Sequence, residues 1–281
     1  MSELTPQARP KRFPGLVPWL LVLLTLLAVV GAWFALHPVF PWAPSGTQWA
    51  GAMAKDEFER RVRAYLLEHP EIIAETISRL ESQHAAQAAT EVQAALKARA
   101  DEVFRDPNSP VGGNPNGDIT LVEFFDYNCP YCRQMVPVMM QAETADPQLR
   151  VVYKEFPILG PNSTLAAKAA LAAHKQGKYL AFHRALFQAR GAIDASKITE
   201  VAATVGLDAD RLKADMADPT IAALIEKNLA LARALRIDGT PGFVAGSQIL
   251  RGAVDLKALQ GFIQEARGTG DRTGEAAAVK R

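Results

Sequence analysis

The chain has 281 residues, of which 31 are basic and 30 acidic, so its net charge is only +1. Such a balance gives no electrostatic reason to expect a nucleic-acid partner. Two cysteines and five scattered histidines also leave too few closely spaced ligands for a structural zinc site, which needs about four. We therefore expect neither a metal nor a cofactor.

The first distinctive segment is an apolar run, residues 16–36, that contains no charged side chain. As a helix it would be ~32 Å long, which is enough to cross a hydrocarbon core of ~30 Å. Basic residues precede the run, so the positive-inside rule keeps residues 1–15 in the cytoplasm and exports the rest. The sequence predicts a single-pass anchor in a bacterial inner membrane, with the lipid bilayer as a partner and the catalytic part in the periplasm. A cleaved signal peptide, with residues 30–32 as its cleavage site, is the alternative.

A spacer and a helical extension are predicted next. Residues 37–54 are rich in proline, which suits a short spacer near the membrane surface. Residues 55–104 have a helical pattern, interrupted at Pro70, with apolar side chains at intervals of three and four. A helix this long cannot bury its apolar stripe against itself, so we expect it to pack on the catalytic domain or on further copies of the chain. The extension is thus a candidate region for homo-oligomerisation.

A dense group of turn-forming residues marks the start of the folded domain. Residues 105–118 are predicted to form a linker, and residues 119–267 a domain with one core. Its elements are predicted in the order strand, helix, strand, a helical block over residues 163–236, hairpin and closing helix. This order predicts an α/β fold of thioredoxin type with inserted helices. Residues 268–281, rich in glycine and charge, are predicted to be a disordered tail.

Cys129 and Cys132 lie where the first strand ends and the first helix of this domain begins. A helix N-terminus carries unpaired N–H groups and a partial positive charge, which stabilise a thiolate. A static disulfide across so short a loop would stabilise the fold little, so we interpret the pair as a redox-active disulfide. Cys129 is the predicted attacking thiol and Cys132 the resolving thiol. Between them, Pro130 suits the first helical turn and Tyr131 is expected to tune the exposed face.

An acidic residue is predicted below this motif. Glu123 precedes Cys129 by six residues on the strand, and alternation places it on the same side as Phe125, which is expected to be buried. A buried carboxylate is costly unless it is paired, so Lys154 on the neighbouring strand is its expected partner. The alternative is an ordinary ion pair at the edge of the sheet.

Several motifs together carry a family resemblance. Val122-Glu123-Phe124-Phe125 leads into Cys129-Pro130-Tyr131-Cys132, and Lys154, the inserted helices and Gly239-Thr240-Pro241-Gly242-Phe243 follow. This combination resembles the bacterial DsbA superfamily of thiol-disulfide oxidoreductases. The resemblance implies a thioredoxin fold with an inserted helical domain, a cis Pro241 whose loop binds the extended substrate, and a Thr240 that contacts the sulfurs. It also implies that Glu123 and Lys154 influence proton transfer to the buried thiol.

The helical extension resembles the suppressor-of-copper-sensitivity protein C group, some members of which oligomerise through this region. The sequence therefore predicts an exported, membrane-tethered dithiol-disulfide oxidoreductase that forms or isomerises disulfides in client proteins. A membrane redox partner is expected to reoxidise or reduce it. A dedicated thiol reductase for a membrane-proximal client stays open as an alternative, as does a Cu(I)-binding chaperone that uses the same two thiolates.

Overall fold

The computed structural model of the protein describes residues 25–30, 32–33 and 55–270. The predicted cytoplasmic segment 1–15, the spacer 37–54 and most of the anchor 16–36 lie outside these residues, as does the tail beyond residue 270. The few described residues of the anchor are helical. Across the described ranges, we find no helix with both the length and the apolar character that membrane crossing requires.

The chain divides into two compact units, residues 1–76 and residues 77–281. In the first unit, helix α1 spans Lys55–Glu68 and none of its residues is buried. Helix α2, Pro70–Ala98, begins in this unit. Pro70 stands at its start because a first-turn residue needs no backbone N–H for the helix.

In the second unit, helix α2 continues to Ala98 and helix α3 follows over Ala100–Phe104. Arg99 between them leaves helical geometry, with φ −112° and ψ 21°, which ends α2. The C-terminal part of α2 buries Val92 and Leu96. This part of the extension therefore packs within the catalytic unit. Packing on the catalytic domain was one of the two arrangements that the sequence predicted.

A five-stranded sheet forms the centre of the second unit, in the order β1-β3-β2-β4-β5. Strands β2 and β3 are parallel, and the other neighbouring pairs are antiparallel. The bounds are β1 Val111–Gly113, β2 Ile119–Phe125, β3 Leu149–Glu155, β4 Gly242–Ala245 and β5 Gln248–Arg251.

The predicted linker at residues 105–118 is thus only partly a linker, because it contains β1, which pairs with β3 from Val111 to Gly113. A strand of three residues, two of them glycine, is too short to show an alternation of apolar and polar side chains. The sequence pattern therefore missed it. The segment belongs to the sheet of the catalytic unit.

Seven helices complete the described part of the second unit. Helix α4 follows β2, five helices form the insertion after β3, and the last helix follows β5. Their bounds are α4 Pro130–Ala145, α5 Pro161–Lys175, α6 Tyr179–Gln188, α7 Ala195–Thr204, α8 Ala209–Met216, α9 Pro219–Ala234 and α10 Leu256–Gly270. Helix α10 includes residues 268–270, which the sequence pattern assigned to the tail. Its final residues simply continue the helix past the predicted boundary.

Aspartate side chains fix where three of the inserted helices begin. Asp194, Asp208 and Asp218 stand at the N-caps of α7, α8 and α9, and each carboxylate accepts a hydrogen bond from a backbone N–H two or three residues ahead. Such caps satisfy N–H groups that have no partner within the helix. Three of the five inserted helices therefore begin at a capping aspartate.

The two faces of the sheet carry separate cores because successive strand residues point to opposite sides. Leu121 and Phe125 of β2 join one cluster, which contains Cys132 and the insertion. Val122 and Phe124 join the other, which contains Val92, Leu96 and Val103 of the extension. We call these the cysteine face and the extension face.

Candidate active site

Two unbonded cysteine thiols stand at the start of helix α4. Cys129 is the N-cap residue, with an extended backbone, and Pro130 occupies the first helical position. Cys132 lies one turn further in and is 1% exposed, whereas Cys129 is 5% exposed. Tyr131 between them is 61% exposed. The helix start therefore presents an aromatic ring to solvent and holds both sulfurs just beneath the surface.

The predicted loop around Pro241 lies against these sulfurs. The Thr240–Pro241 peptide bond is cis and directly precedes β4. The Sγ of Cys129 donates a hydrogen bond to the carbonyl oxygen of Thr240 at 3.3 Å. The Thr240 side chain also interacts with Cys132. Thr240 thus contacts both cysteines.

The thiol of Cys132 is held in its protonated form by its surroundings. Burial raises the pKa of Cys132 well above its ordinary value, and the negative charge of Glu123 acts in the same direction. A backbone hydrogen bond from Asp126 and the Thr240 side chain oppose this effect. A thiol of raised pKa needs a proton acceptor when it forms a disulfide and a donor when the disulfide is reduced.

Glu123 is a buried carboxyl group whose charge acts on Cys132. Its side chain is 4% exposed on the cysteine face of β2. Burial raises the pKa of Glu123 to about 8, and the charge of Glu143 on α4 contributes to the rise. A carboxyl group that titrates close to neutral pH can both accept and donate a proton there.

The predicted ion pair between Glu123 and Lys154 is wrong. The parallel register places Glu123 opposite Tyr153, and Lys154 opposite Phe124. Neighbours in register share a face and the next residue along points the other way, so Lys154 lies on the extension face. The sequence identified the correct two strands but not their register.

Lys154 instead has hydrogen-bond acceptors of its own. Its Nζ donates hydrogen bonds of 2.7 Å to the Glu102 carbonyl and to the Ser109 hydroxyl, and it lies 3.9 Å from Asp106 Oδ2. Asp106 also pairs with Lys227 at 2.7 Å. Burial lowers the pKa of Lys154 to about 8, and Asp106 opposes that shift. The lysine ties the segment after α3 to the sheet.

Glu143 is a site residue that the sequence argument missed. It lines a cavity of about 20 Å³ together with Glu123, Tyr153 and Arg184. One carboxylate oxygen accepts from the Tyr153 hydroxyl at 3.1 Å, and the other lies 3.4 Å from Arg184. A cavity of this size is large enough for one water molecule. The spacing of Cys132, Met139 and Glu143 along α4 would have shown that they share a face.

A second buried acid was also missed. Glu155 is 1% exposed, and its Oε1 accepts from the hydroxyls of Tyr179 at 2.7 Å and Tyr127 at 3.2 Å. Tyr127 also lies 3.0 Å from His183 Nδ1. Burial raises the pKa of Glu155 and lowers that of His183 to about 3, so the cluster favours neutral forms. It joins the loop before Cys129 to helix α6 of the insertion.

No cluster of three or more histidine, cysteine, aspartate and glutamate side chains suited to a metal ion occurs among the residues that the structure describes.

The catalytic domain and the helical extension each match a known protein family. Residues 120–264 match the DSBA-like thioredoxin domain, and residues 55–87 match the N-terminal domain of the copper resistance protein ScsC. The chain therefore belongs to the DSBA-like thioredoxin family. The predicted enzyme class, a thiol-disulfide oxidoreductase, and the predicted thioredoxin fold with inserted helices are confirmed at the level of this family.

Individual proteins agree with this assignment. The chain is 48% identical to a thioredoxin-like oxidoreductase from Silicibacter pomeroyi, covering 60% of this chain and 97% of that one, with a TM-score of 0.59. It is 32% identical to Proteus mirabilis ScsC in a transitional conformation, covering 78% and 97%, with a TM-score of 0.58. The thiol:disulfide interchange protein DsbA of Bordetella parapertussis is 27% identical over 191 residues, covering 64% of this chain and 88% of its own length. The chain also matches Na⁺/H⁺ antiporters NhaA, of whose length it spans 24% to 26%.

Proposed function

We propose that the protein is an exported protein dithiol-disulfide oxidoreductase that forms or isomerises disulfides in client proteins through Cys129 and Cys132. The observation that carries the proposal is the arrangement of the two thiols. Cys129 stands at a helix start against the Thr240 carbonyl, while Cys132 is buried near a carboxyl group with a pKa of about 8. This arrangement separates an attacking sulfur from a resolving sulfur that has its own proton partner.

The reaction balances as an exchange of two electrons and two protons. A client thiolate attacks the Cys129 sulfur of the oxidised enzyme, the bond between Cys129 and Cys132 breaks, and its electron pair leaves on Cys132. Because the pKa of Cys132 is raised, this sulfur takes up a proton, which Glu123 donates. A second client thiolate then attacks the client sulfur of the mixed disulfide, the bond to Cys129 breaks, and Cys129 leaves as a thiolate. This thiolate takes a proton from solvent, which received the protons of the two client thiols. The client gains a disulfide and the enzyme becomes a dithiol.

The substrate is expected to bind around the exposed helix start. Tyr131 offers an exposed aromatic ring beside the reacting sulfur, and Pro130 lies next to it on the surface. On the other side, the Thr240–Pro241 loop presents backbone groups close to Cys129. An extended client segment between these two sides would bring its cysteine to Cys129.

The direction of electron flow is tested on the purified full-length protein. Acid quenching and alkylation in cells report the redox state of the cysteine pair, and exchange with reduced and scrambled model clients reports the activity. A disulfide donor is found oxidised and oxidises reduced clients, whereas an isomerase is found reduced and refolds scrambled ones. A protein that only reduces disulfides would be the dedicated reductase of the alternative proposal.

We propose further that residues 16–36 tether the enzyme to the inner membrane, with the catalytic unit in the periplasm. The support is the uncharged run of residues 16–36 with basic residues before it. A membrane redox partner would then meet the enzyme at the bilayer. Extraction of membranes with alkaline carbonate tests the tether: an anchored chain stays in the pellet, and a cleaved, soluble chain is released.

Homo-oligomerisation through the extension is a further proposal. Phe58, Val62 and Tyr65 of α1 are 40% to 55% exposed, and Ile73 and Ile77 of α2 are 47% and 51% exposed. Such spacing and exposure suit contact with another copy of the chain. The match of residues 55–87 to the ScsC N-terminal domain supports the same proposal. Light scattering on the full chain and on a Phe58→Glu/Val62→Glu variant measures the mass directly.

A Cu(I)-binding chaperone is a second candidate, since the ScsC family model is described as a copper resistance protein and soft thiolates favour Cu(I). The discriminating result is stoichiometric Cu(I) binding that needs both cysteines, without exchange activity on any client. Exchange activity that Cu(I) merely inhibits would favour the oxidoreductase.

A further inference from the structure

A groove of about 680 Å³ opens beside the cysteine pair, on the side of Pro130. Its lining includes Pro130 and Arg133 of helix α4, Leu159, Asn162 and Gly191. The groove therefore begins at the residue that follows the attacking cysteine. A polypeptide joined to Cys129 by a mixed disulfide would have one flank within reach of it.

The walls of the groove are held by buried hydrogen bonds. Asp126 is 2% exposed, and its carboxylate accepts from the backbone N–H groups of Asn128 at 2.8 Å and of Ile158 and Leu159 at 2.9 Å each. The Asn128 side chain in turn accepts from the Ile193 backbone N–H at 2.8 Å. A site whose walls are fixed before binding loses less conformational entropy when a ligand enters.

Arg133 supplies an uncompensated positive charge. Its Nη1 donates to the carbonyl oxygens of Phe187, at 2.6 Å, and Ala189. In the described part of the chain no carboxylate lies within ion-pair distance of this guanidinium, although it is half-buried. A guanidinium has five N–H donors, and among residues 55–270 only those on Nη1 of Arg133 have an acceptor. A partly desolvated cation with spare donors is expected to attract a carboxylate in a concave site.

The rim beside this charge is apolar. Leu159, which lines the groove, is 52% exposed, and Asp126 fixes its backbone. The groove thus offers an apolar contact at Leu159 and a cation at Arg133. These features suit a polypeptide segment rather than a small ion.

We propose that the groove, hereafter the Arg133 groove, binds a client segment that carries a carboxylate within two or three residues of the reacting cysteine. The inference rests on the proposed function, because it concerns the client of that same site. Arg133 lies one helical turn after Cys129, roughly 6 Å along the axis, and an extended chain advances about 3.3 Å per residue. A client aspartate or glutamate two or three residues from its cysteine therefore reaches the guanidinium.

The test uses the oxidised full-length protein and three short cysteine peptides that differ only by Asp, Asn or Lys beside the cysteine. The acidic residue is placed on one flank at a time. We expect the Asp peptide to react about five-fold faster than the Asn peptide on one flank, the size expected of one partly exposed ion pair. Raising the salt concentration should reduce this preference. Equal rates for the Asp, Asn and Lys peptides on both flanks would overturn the proposal.

Variants assign the preference to Arg133. Arg133→Gln should abolish it, so that the Asp and Asn peptides react at rates equal within about two-fold. The matched control is Arg251→Gln, since Arg251 also donates to backbone carbonyls but lies on strand β5. This control should keep the five-fold preference. A preference that survives in Arg133→Gln would overturn the proposal.

Asn162→Asp provides a test that does not depend on the Arg133 contacts. Asn162 is exposed in the first turn of α5, where an added carboxylate suits the helix. We expect this variant to lose the preference for the Asp peptide and to react faster with the Lys peptide. If Arg133→Gln slows only the reaction of the reduced protein with oxidised glutathione, a small acidic disulfide is the occupant and the client proposal is wrong. Failure of the wild type to exchange with any peptide would instead refute the proposed function, and this inference with it.

Discussion

Glu123 and Lys154 lie on adjacent strands, are buried on opposite faces of the central sheet and have different neighbours. Glu123 on the cysteine face and Lys154 on the extension face both have a pKa shifted by burial to about 8. Lys154 is surrounded by acceptors at 2.7 Å, whereas the Glu123 carboxyl lies near a buried thiol and a second acid. A shifted pKa therefore indicates a reactive group only where a neighbouring group can exchange a proton with it.

The largest effect should come from the sulfur itself. Cys129→Ser removes the attacking nucleophile, so we expect thiol exchange to fall by on the order of a thousand-fold or more. Stopped-flow oxidation of a reduced model client measures the rate. The control is Cys132→Ser, which should still form a mixed disulfide and retain it. An active Cys129→Ser protein would contradict the whole mechanism.

Lys154→Met tests whether Lys154 contributes to the stability of the fold. The variant removes the donor to Glu102 and Ser109 and leaves those acceptors buried, so we expect a loss of about 3 kcal/mol in the free energy of unfolding. Urea denaturation measures it. Lys227→Met, which removes the more exposed partner of Asp106, should cost about 1 kcal/mol or less. The folded Lys154→Met protein should exchange thiols at the wild-type rate, and a slower rate would give Lys154 a chemical role.

Glu123→Gln tests whether Glu123 transfers a proton to Cys132. Without the carboxyl, proton transfer to Cys132 loses its partner, so we expect the reduction of the enzyme disulfide to slow by on the order of ten-fold. The inflection near pH 8 in the rate profile should disappear. Stopped-flow profiles from pH 5 to 9 measure both. An unchanged profile would remove Glu123 from the reaction.

The same variant has a predictable effect on stability. Glu123 binds its proton up to a pH of about 8 in the folded chain but loses it near 4.5 when unfolded. The unfolded state therefore binds fewer protons between these values, so Glu123 makes the fold less stable as pH rises through that window. Glu123→Gln should remove this loss and stabilise the protein at pH 8 by on the order of 2 kcal/mol. A variant less stable than wild type at pH 8 would contradict the sign.

Glu143→Gln should give the smallest change. It removes a negative charge that raises the pKa of Glu123, so the inflection in the rate profile should move to lower pH. The rate at pH 7.5 should change by about two-fold. The rate at the plateau should stay the same, which distinguishes this effect from loss of a proton carrier. An inflection that does not move would show that the two carboxyl groups do not interact.

The sequence predicted what depends on local pattern and on a strong motif. The position of Cys129 and Cys132 at a helix start, the contact of Thr240 with the sulfurs and the order of the main strands and helices could all be predicted. The contacts of Lys154 could not, because they depend on strand register. Strand β1 was too short to show a period. The helical spacing could place Glu143 on the face of Cys132, but its position beside Glu123 depends on tertiary packing.

The most direct test of the central claim is a titration of the Glu123 carboxyl by carbon-13 nuclear magnetic resonance, with Glu123→Gln identifying its signal. In the reduced protein the account predicts titration near pH 8, at a pH that changes when Cys129 and Cys132 form their disulfide. The signal should be unaffected by Lys154→Met. Titration near 4.5 in both redox states would contradict the account, because the carboxyl would then be ionised at neutral pH and unable to donate a proton to Cys132.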